Sequence, residues 1–398
     1  MSMYYKAAIR HGSRRSIGSI RRRVPVDPMK TGRESAPSSS AVVPVMVSIA
    51  LVGTLAVAKN EQVTSFCHSK PSTQQHLLRW YPKQSFQVSD TYKIKKILGK
   101  GSFATVFSAV RSQDGSTVAL KAVNQTSCHD KDFQREVKAM DILSTPGNSH
   151  VCQLYDQHED DDFYYMAMEL GGESDLYDHL MQQGTLGEER ASQLMHQLVD
   201  ALSYIHSKGL IHADLKPENL MVDEKNFKLK VVDFGNTVFV GEPEESLPSM
   251  TSGTTAYMPP EILEAKQHHR SHLSEHLTPA MDMYAVGIIL YICLTGTHPF
   301  DPNGVFSDKE VAHAILNSRM DGYLDYFVFG DRTKDLSPSA VQLMKKLLHP
   351  VPSQRMTADE LKEHLLVRED CIWTTTNGKK ASINKFLLDS LSAKQLEA

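Results

Sequence analysis

Two short polar clusters constrain this 398-residue chain more than anything else in it: His212-Ala213-Asp214-Leu215-Lys216-Pro217-Glu218-Asn219 and, past a strand-like stretch, Asp233-Phe234-Gly235. Together they gather a base, a cation and two metal-seeking oxygen ligands into little more than twenty residues. Transfer of a phosphoryl group from a magnesium nucleotide needs that inventory: a carboxylate to orient a hydroxyl, a lysine to neutralise developing charge, and Asn and Asp oxygens to hold hard cations. Alone, Asp-Phe-Gly is an ordinary strand-to-turn junction. The octapeptide and the triplet at this spacing are far more specific.

The two clusters closely resemble the catalytic loop and metal-binding triplet of the eukaryotic protein kinases. The resemblance implies that Asp214 accepts or orients the proton of a substrate hydroxyl and that Lys216 stabilises the transferring phosphoryl group. It also implies that Asn219 and Asp233 ligate Mg2+ and that ATP is the phosphate donor. Lys216 within Asp-Leu-Lys-Pro-Glu-Asn is the form typical of serine/threonine kinases. One letter departs: Ala213 stands where most of the family has an arginine that grips a phosphate on the activation segment. A methyl group cannot form those charge-assisted bonds, so activity is expected not to depend on phosphorylation between Gly241 and Ser252. The implied fold is α+β and bilobal, a kinase domain over 90–367. A small, mainly antiparallel β-sheet N-lobe with one helix spans about 90–168, the hinge about 169–172, and a larger, mainly helical C-lobe about 173–367.

Residues 90–123 alternate like strands and are punctuated by glycines. Gly99 and Gly101 sit at a hairpin tip where backbone N–H groups can approach phosphate oxygens. Ala104 replaces the family's third glycine. A dinucleotide-binding turn would run straight into a helix, whereas 105–110 reads as another strand, which favours the kinase-type hairpin. Lys121, in Val118-Ala119-Leu120-Lys121, resembles the lysine delivered to the nucleotide phosphates. A lysine in an apolar strand needs a partner, and Glu136 is the candidate, on a helix over 130–143 with Phe133, Val137 and Met140 on one face. By resemblance, Leu98, Gly99, Gly101, Val106, Ala119, Lys121 and Glu136 belong to the nucleotide site. So do the gatekeeper Met168, the hinge residues Glu169 and Leu170, and Asp175 near the ribose.

The run 188–208 places Ala191, Leu194, Leu198, Leu202 and Ile205 at helical spacing. Residues 233–261 match the activation segment, with Thr254 near Asp214 and Lys216. Glu261 matches an acid that pairs with a late arginine, here Arg355, and Asp282 opens an apolar helix reaching Thr295. Within the family the chain looks closest to the calcium/calmodulin-dependent group. A partner-binding pseudokinase is the rival reading, but Lys121, Asp214, Asn219 and Asp233, whose loss would support it, are all present. Glu218 and Asp175 suggest, by charge complementarity, a protein substrate with basic residues before the target hydroxyl. His268, His269, His272 and His276 admit a zinc site or, more simply, a solvated loop. Glu242, Glu244 and Glu245, followed by Ser246, Ser249, Thr251 and Ser252, read as a phosphorylated loop or a polar turn. The tail over 368–398 carries Trp373 and a weakly basic amphipathic stretch from Gly378, a candidate autoinhibitory or calmodulin-binding segment.

A net charge of −4, with the basic excess confined to the N-terminus, gives no footprint for nucleic acid. Five scattered cysteines form neither a disulfide framework nor a thiolate zinc site. Residues 1–33 hold nine Lys or Arg and one acid, Asp27, the composition of a mitochondrial-type targeting segment over 1–34. The uncharged run 41–58 is just long enough for a transmembrane helix, and a polar linker over 60–89 follows. The corresponding expectation is a membrane-associated, mitochondrial enzyme, with a cytoplasmic one as the alternative.

Overall fold

The computed structural model describes residues 87–367 apart from 102–103, 244–245, 249–253 and 268–272, together with 373–374 and 380–381. The targeting-like segment 1–34, the apolar run 41–58, the linker up to 86, His268, His269, His272 and most of the tail lie outside the described residues. Among the described residues, no helix is long and apolar enough to cross a membrane.

A short helix, α1 (Val88–Thr91), leads into strands β1 (Tyr92–Lys100), β2 (Ala104–Arg111) and β3 (Thr117–Asn124). Helix α2 (Asp130–Ser144) follows, then β4 (Leu154–Glu159) and β5 (Phe163–Met168). The five strands form one antiparallel sheet in the order β1-β2-β3-β5-β4. Directly paired residues share a face of the sheet, as do residues two apart. Val118, Leu120 and Ala122 therefore lie on one face with Ala109, Tyr165 and Ala167, and together with Tyr92 they form a small core of their own. Lys121, Ala119, Val106 and Met168 fall on the other face. On α2, Phe133, Val137, Met140 and Leu143 recur at helical spacing and are buried. The helix ends at Thr145, held extended by the proline that follows it.

The sequence suggests a strand near Val151 to Gln157 and another near Phe163 to Leu170. The structure starts β4 at Leu154 and ends β5 at Met168. The first difference arises because 150–152 pairs with the large lobe instead. Val151 bridges Val231 in parallel, with Cys152 N donating to Val231 O at 3.0 Å and Val231 N donating to His150 O at 2.8 Å. Beyond Met168 the chain leaves the sheet through Gly171 and Gly172, where a Cβ on Gly172 would stand 2.8 Å from the Val222 backbone.

The large lobe contains β6 (Ser174–Asp175), α3 (Leu176–Gln183), α4 (Glu188–Ser207), β7 (Leu210–Ile211), β8 (Leu220–Asp223), β9 (Lys228–Val231) and β10 (Val238–Phe239). Then come α5 (Pro260–Gln267), α6 (Leu273–His276), α7 (Ala280–Thr295), α8 (Asp308–Asn317), α9 (Pro338–Leu347) and α10 (Ala358–Val367). The expected face of α4 is fully buried, each Leu or Ile contributing about 1.5–3 kcal/mol. Gly209, at φ +70°, reverses the chain after α4 and turns it into β7. Helix α7 is buried all round from Met281 to Tyr291. At Gly287 a side chain would stand 2.9 Å from Leu347 and Leu348, so the glycine lets α7 and α9 approach closely. The small antiparallel sheet β6-β8-β9 and the pair β7–β10 flank the loop that carries the polar octapeptide. In the tail, Trp373–Thr374 pairs with Lys380–Ala381.

Candidate active site

The octapeptide emerges from β7 in a backbone conformation that L-residues avoid. Ala213 has φ +63° and Asp233, across the site, φ +64°. Asp282 holds the first of these, its carboxylate accepting the backbone N–H groups of His212 and Ala213 at 2.9 Å each, with His206 Nε2 3.0 Å away. Burial would raise the Asp282 carboxyl, but the bond with His206 and the nearby His212 outweigh it and hold the group below its ordinary value. His212 is itself completely buried. Its Nδ1 accepts from Asp214 N at 3.3 Å, so Nε2 carries the proton and donates to Val232 O at 3.1 Å. The ring thereby links the strand before Asp233 to the loop that bears Asp214.

Asp214 is oriented from several sides. Lys216 Nζ lies 2.8 Å from its Oδ2, and the Asn219 amide donates to its backbone carbonyl at 2.8 Å. The Asn236 amide reaches Oδ2 at 3.4 Å. Lys216 also donates to Thr254 Oγ1 at 3.2 Å, as the serine/threonine pattern leads one to expect. The Asn219 NH2 group is spent on Asp214, which leaves its carbonyl oxygen as the ligand atom. That oxygen and the Asp233 carboxylate, whose side chain is 46% exposed, make a hard donor set suited to Mg2+.

Lys121 comes from β3, and its Nζ lies 2.6 Å from Glu136 Oε1 and 3.2 Å from Asp233 Oδ1. Burial alone would lower the lysine, but the carboxylates of Asp233 and Glu136 outweigh it and raise it. The same ammonium holds Asp233 down to about 2. The two carboxylates keep the Lys121 ammonium protonated at a cleft edge, where phosphate oxygens can approach it.

The ladder places Gly99 opposite Val106, Val106 opposite Lys121, and Ala119 opposite Met168, so these expected nucleotide-site residues occupy adjoining positions in the sheet. Gly101 N closes the hairpin by donating to Ala104 O at 2.8 Å. Leu98 and Leu170 are exposed. Glu169 sends its side chain to Lys230 at 2.8 Å, and its backbone N–H is taken by Gln153 O at 2.9 Å. Asp175 has a local role as the N-cap of α3, accepting from Asp178 N at 2.7 Å. Burial raises its carboxyl. Among the described residues no cluster of histidines, cysteines or acids could hold a metal by itself, and the histidine-rich loop is largely outside them. Sequence reasoning did not find His206, Asn236 or Arg135, each of which touches the site or its supports only through tertiary contact.

The fold, the lysine–glutamate pair and the loop bearing Asp214 define a class, and comparison with known proteins agrees: the protein kinase domain family matches residues 92–367, and the chain belongs to that family. Rat calcium/calmodulin-dependent protein kinase type 1B is 33% identical over 293 residues, covering 72% of this chain and 78% of the relative. The human form is 32% identical over the same shares. Calcium-dependent protein kinase 17 of Arabidopsis thaliana is 31% identical, covering 71% of this chain and 50% of that protein. The chain is a protein serine/threonine kinase resembling the calcium/calmodulin-dependent group.

Proposed function

We propose that this kinase transfers the γ-phosphate of ATP to hydroxyls of proteins that carry basic residues near the target, and that it does so without prior phosphorylation of its activation segment. Asp214, fixed by Lys216 and Asn219, orients the hydroxyl and accepts its proton. Lys216, bridging Asp214 and Thr254, and Lys121, held by Glu136, neutralise charge on the phosphoryl group as it moves. Mg2+, held by Asn219 and Asp233, would supply further neutralisation of the phosphate oxygens. The preference for basic residues rests on Glu218. Its Oε2 is buried with no hydrogen-bond partner among the described residues, and burial together with Asp175 and Asp214 pushes its carboxyl up. A cationic side chain placed there relieves that cost. Calmodulin control, suggested by the names of the relatives, and anchoring through 41–58 are further parts of the reading.

The observation that carries the proposal is the Asp214 constellation, with Ala213 beside it buried and unable to bind a phosphate. Full-length protein is expected to incorporate phosphate into a mixed basic protein substrate, and Asp214→Asn is expected to lose the activity. Equal incorporation by the two would sink the enzyme reading. Changing Ser246, Ser249, Thr251 and Ser252 together to Ala is expected to lower the rate by less than about tenfold. A larger loss would refute independence from phosphorylation.

A further inference from the structure

Helix α2 carries two neighbouring charged residues with different partners. Glu136 turns to Lys121 under the sheet, whereas Arg135, about 100° further round the helix, turns to the activation segment. Its guanidinium binds Glu242 as a fork, Nη1 to Oε1 at 2.8 Å and Nη2 to Oε2 at 3.0 Å, with both side chains only 12% exposed. Nη1 also donates to Thr237 O at 3.2 Å, and Nη2 to Ser246 O. Phe239 lies against both Arg135 and Lys138, at 5.6 and 4.6 Å from its ring centre. Glu242 is itself organised to serve as an acceptor, its Oε1 taking the Phe239 N–H at 3.1 Å within a tight turn. The segment thus gripped is tied on its other side to the catalytic loop, because Asn236 reaches Asp214 and Val238–Phe239 pairs with Leu210–Ile211.

We propose that Arg135 and Glu242 are positioning residues for phosphoryl transfer. A carboxylate belonging to the chain pins the activation segment to α2, and this holds Glu136 on Lys121 and Asp214 in register with them. The inference rests on the kinase reading above and goes beyond it, since it names what does the work that an added phosphate cannot do beside Ala213. Neutralising Glu242 leaves a forked cation nearly buried and without its counter-charge, so α2 and the segment separate and the lysine–glutamate contact loosens.

The test uses the full-length chain, with phosphate incorporation measured at varied ATP and varied basic protein substrate, and Asp214→Asn as the blank. Glu242→Gln, which keeps size and shape, is expected to lower kcat of the folded enzyme about tenfold while leaving the KM for protein substrate near wild type. The exchanged double variant Arg135→Glu/Glu242→Arg is expected to recover kcat to within about threefold, whereas each single reversal stays low. A pair with only a structural role would lower the melting temperature and leave kcat of the folded enzyme unchanged, and that result overturns the proposal. So does a Glu242→Gln enzyme that retains more than half of wild-type kcat; if the exchanged variant does not fold, this single substitution decides. Wild-type protein no more active than Asp214→Asn would instead overturn the kinase reading itself.

Discussion

Two ion pairs, one in each lobe, are built for different purposes. In the large lobe, Arg355 meets Glu261 as a fork at 2.8 and 3.1 Å, with side-chain exposures of 0% and 3%. The same guanidinium donates to the carbonyls of Ala280 and His349 and lies over the Tyr284 ring. With four of its five N–H groups engaged and its side chain fully buried, this cation is not available to a ligand. In the small lobe, Lys121 meets Glu136 through one contact, with exposures of 16% and 7%, and shares its charge with the half-exposed Asp233. Saturation marks a tie that holds a fold together. Incomplete saturation at a cleft edge marks a charge kept for use.

The contrast can be broken most directly at Lys121. Lys121→Met is expected to cut phosphate transfer by about 10²–10³-fold while shifting the melting temperature by only a few degrees. Unfolding of that variant at ordinary temperature would show the small-lobe pair to be a structural tie after all. Arg355→Met should do the opposite. Leaving Glu261 buried and unpaired is expected to cost about 3–5 kcal/mol of stability in urea melts, while the fraction still folded in the cold keeps its specific activity within about threefold. Acid sharpens the comparison further. The imidazole of His298, held near Ala256 O at 3.0 Å, is pushed by burial down to about 4 from an ordinary 6.5. The unfolded chain therefore binds that proton more readily, so this stabilisation is whole above about pH 6.5 and is lost as pH falls toward 4. With allowance for its partial exposure, the loss is about 1–2 kcal/mol, and His298→Gln should flatten it in a pH series of melts. Asp233, held down to about 2, contributes stability above its ordinary range that is lost only as pH falls through that value. Mild acid should thus weaken the large lobe through His298 before it protonates Asp233.

How much of this the sequence revealed depended on whether a partner lies within a motif. Lys121 could be matched to Glu136, and Arg355 to Glu261, because each belongs to a recognisable string of residues and an apolar setting demands a counter-charge. The helices over 130–144 and 188–207 were legible from apolar spacing alone. The grip of Arg135 on Glu242 spans 107 residues, and the His206–Asp282 contact spans 76. Nothing local announces either, since an arginine on a helix and a glutamate in a polar turn each look solvated until tertiary packing removes the water. The strand expected at Val151 failed for a similar reason. Val151 does pair, but its partner is Val231 in the other lobe.

That bridge has a mechanical consequence. With 150–152 stitched to Val231 beside the linking segment, the small lobe has a fixed fulcrum on one side, and its sheet is a lever extending from it. Rocking about it would move the hairpin at Gly99 and Gly101, on β1 and the turn into β2, more than β4 beside the stitch. Opening about that point would be greatest at the glycine tip, on the strands farthest in the sheet from the stitch.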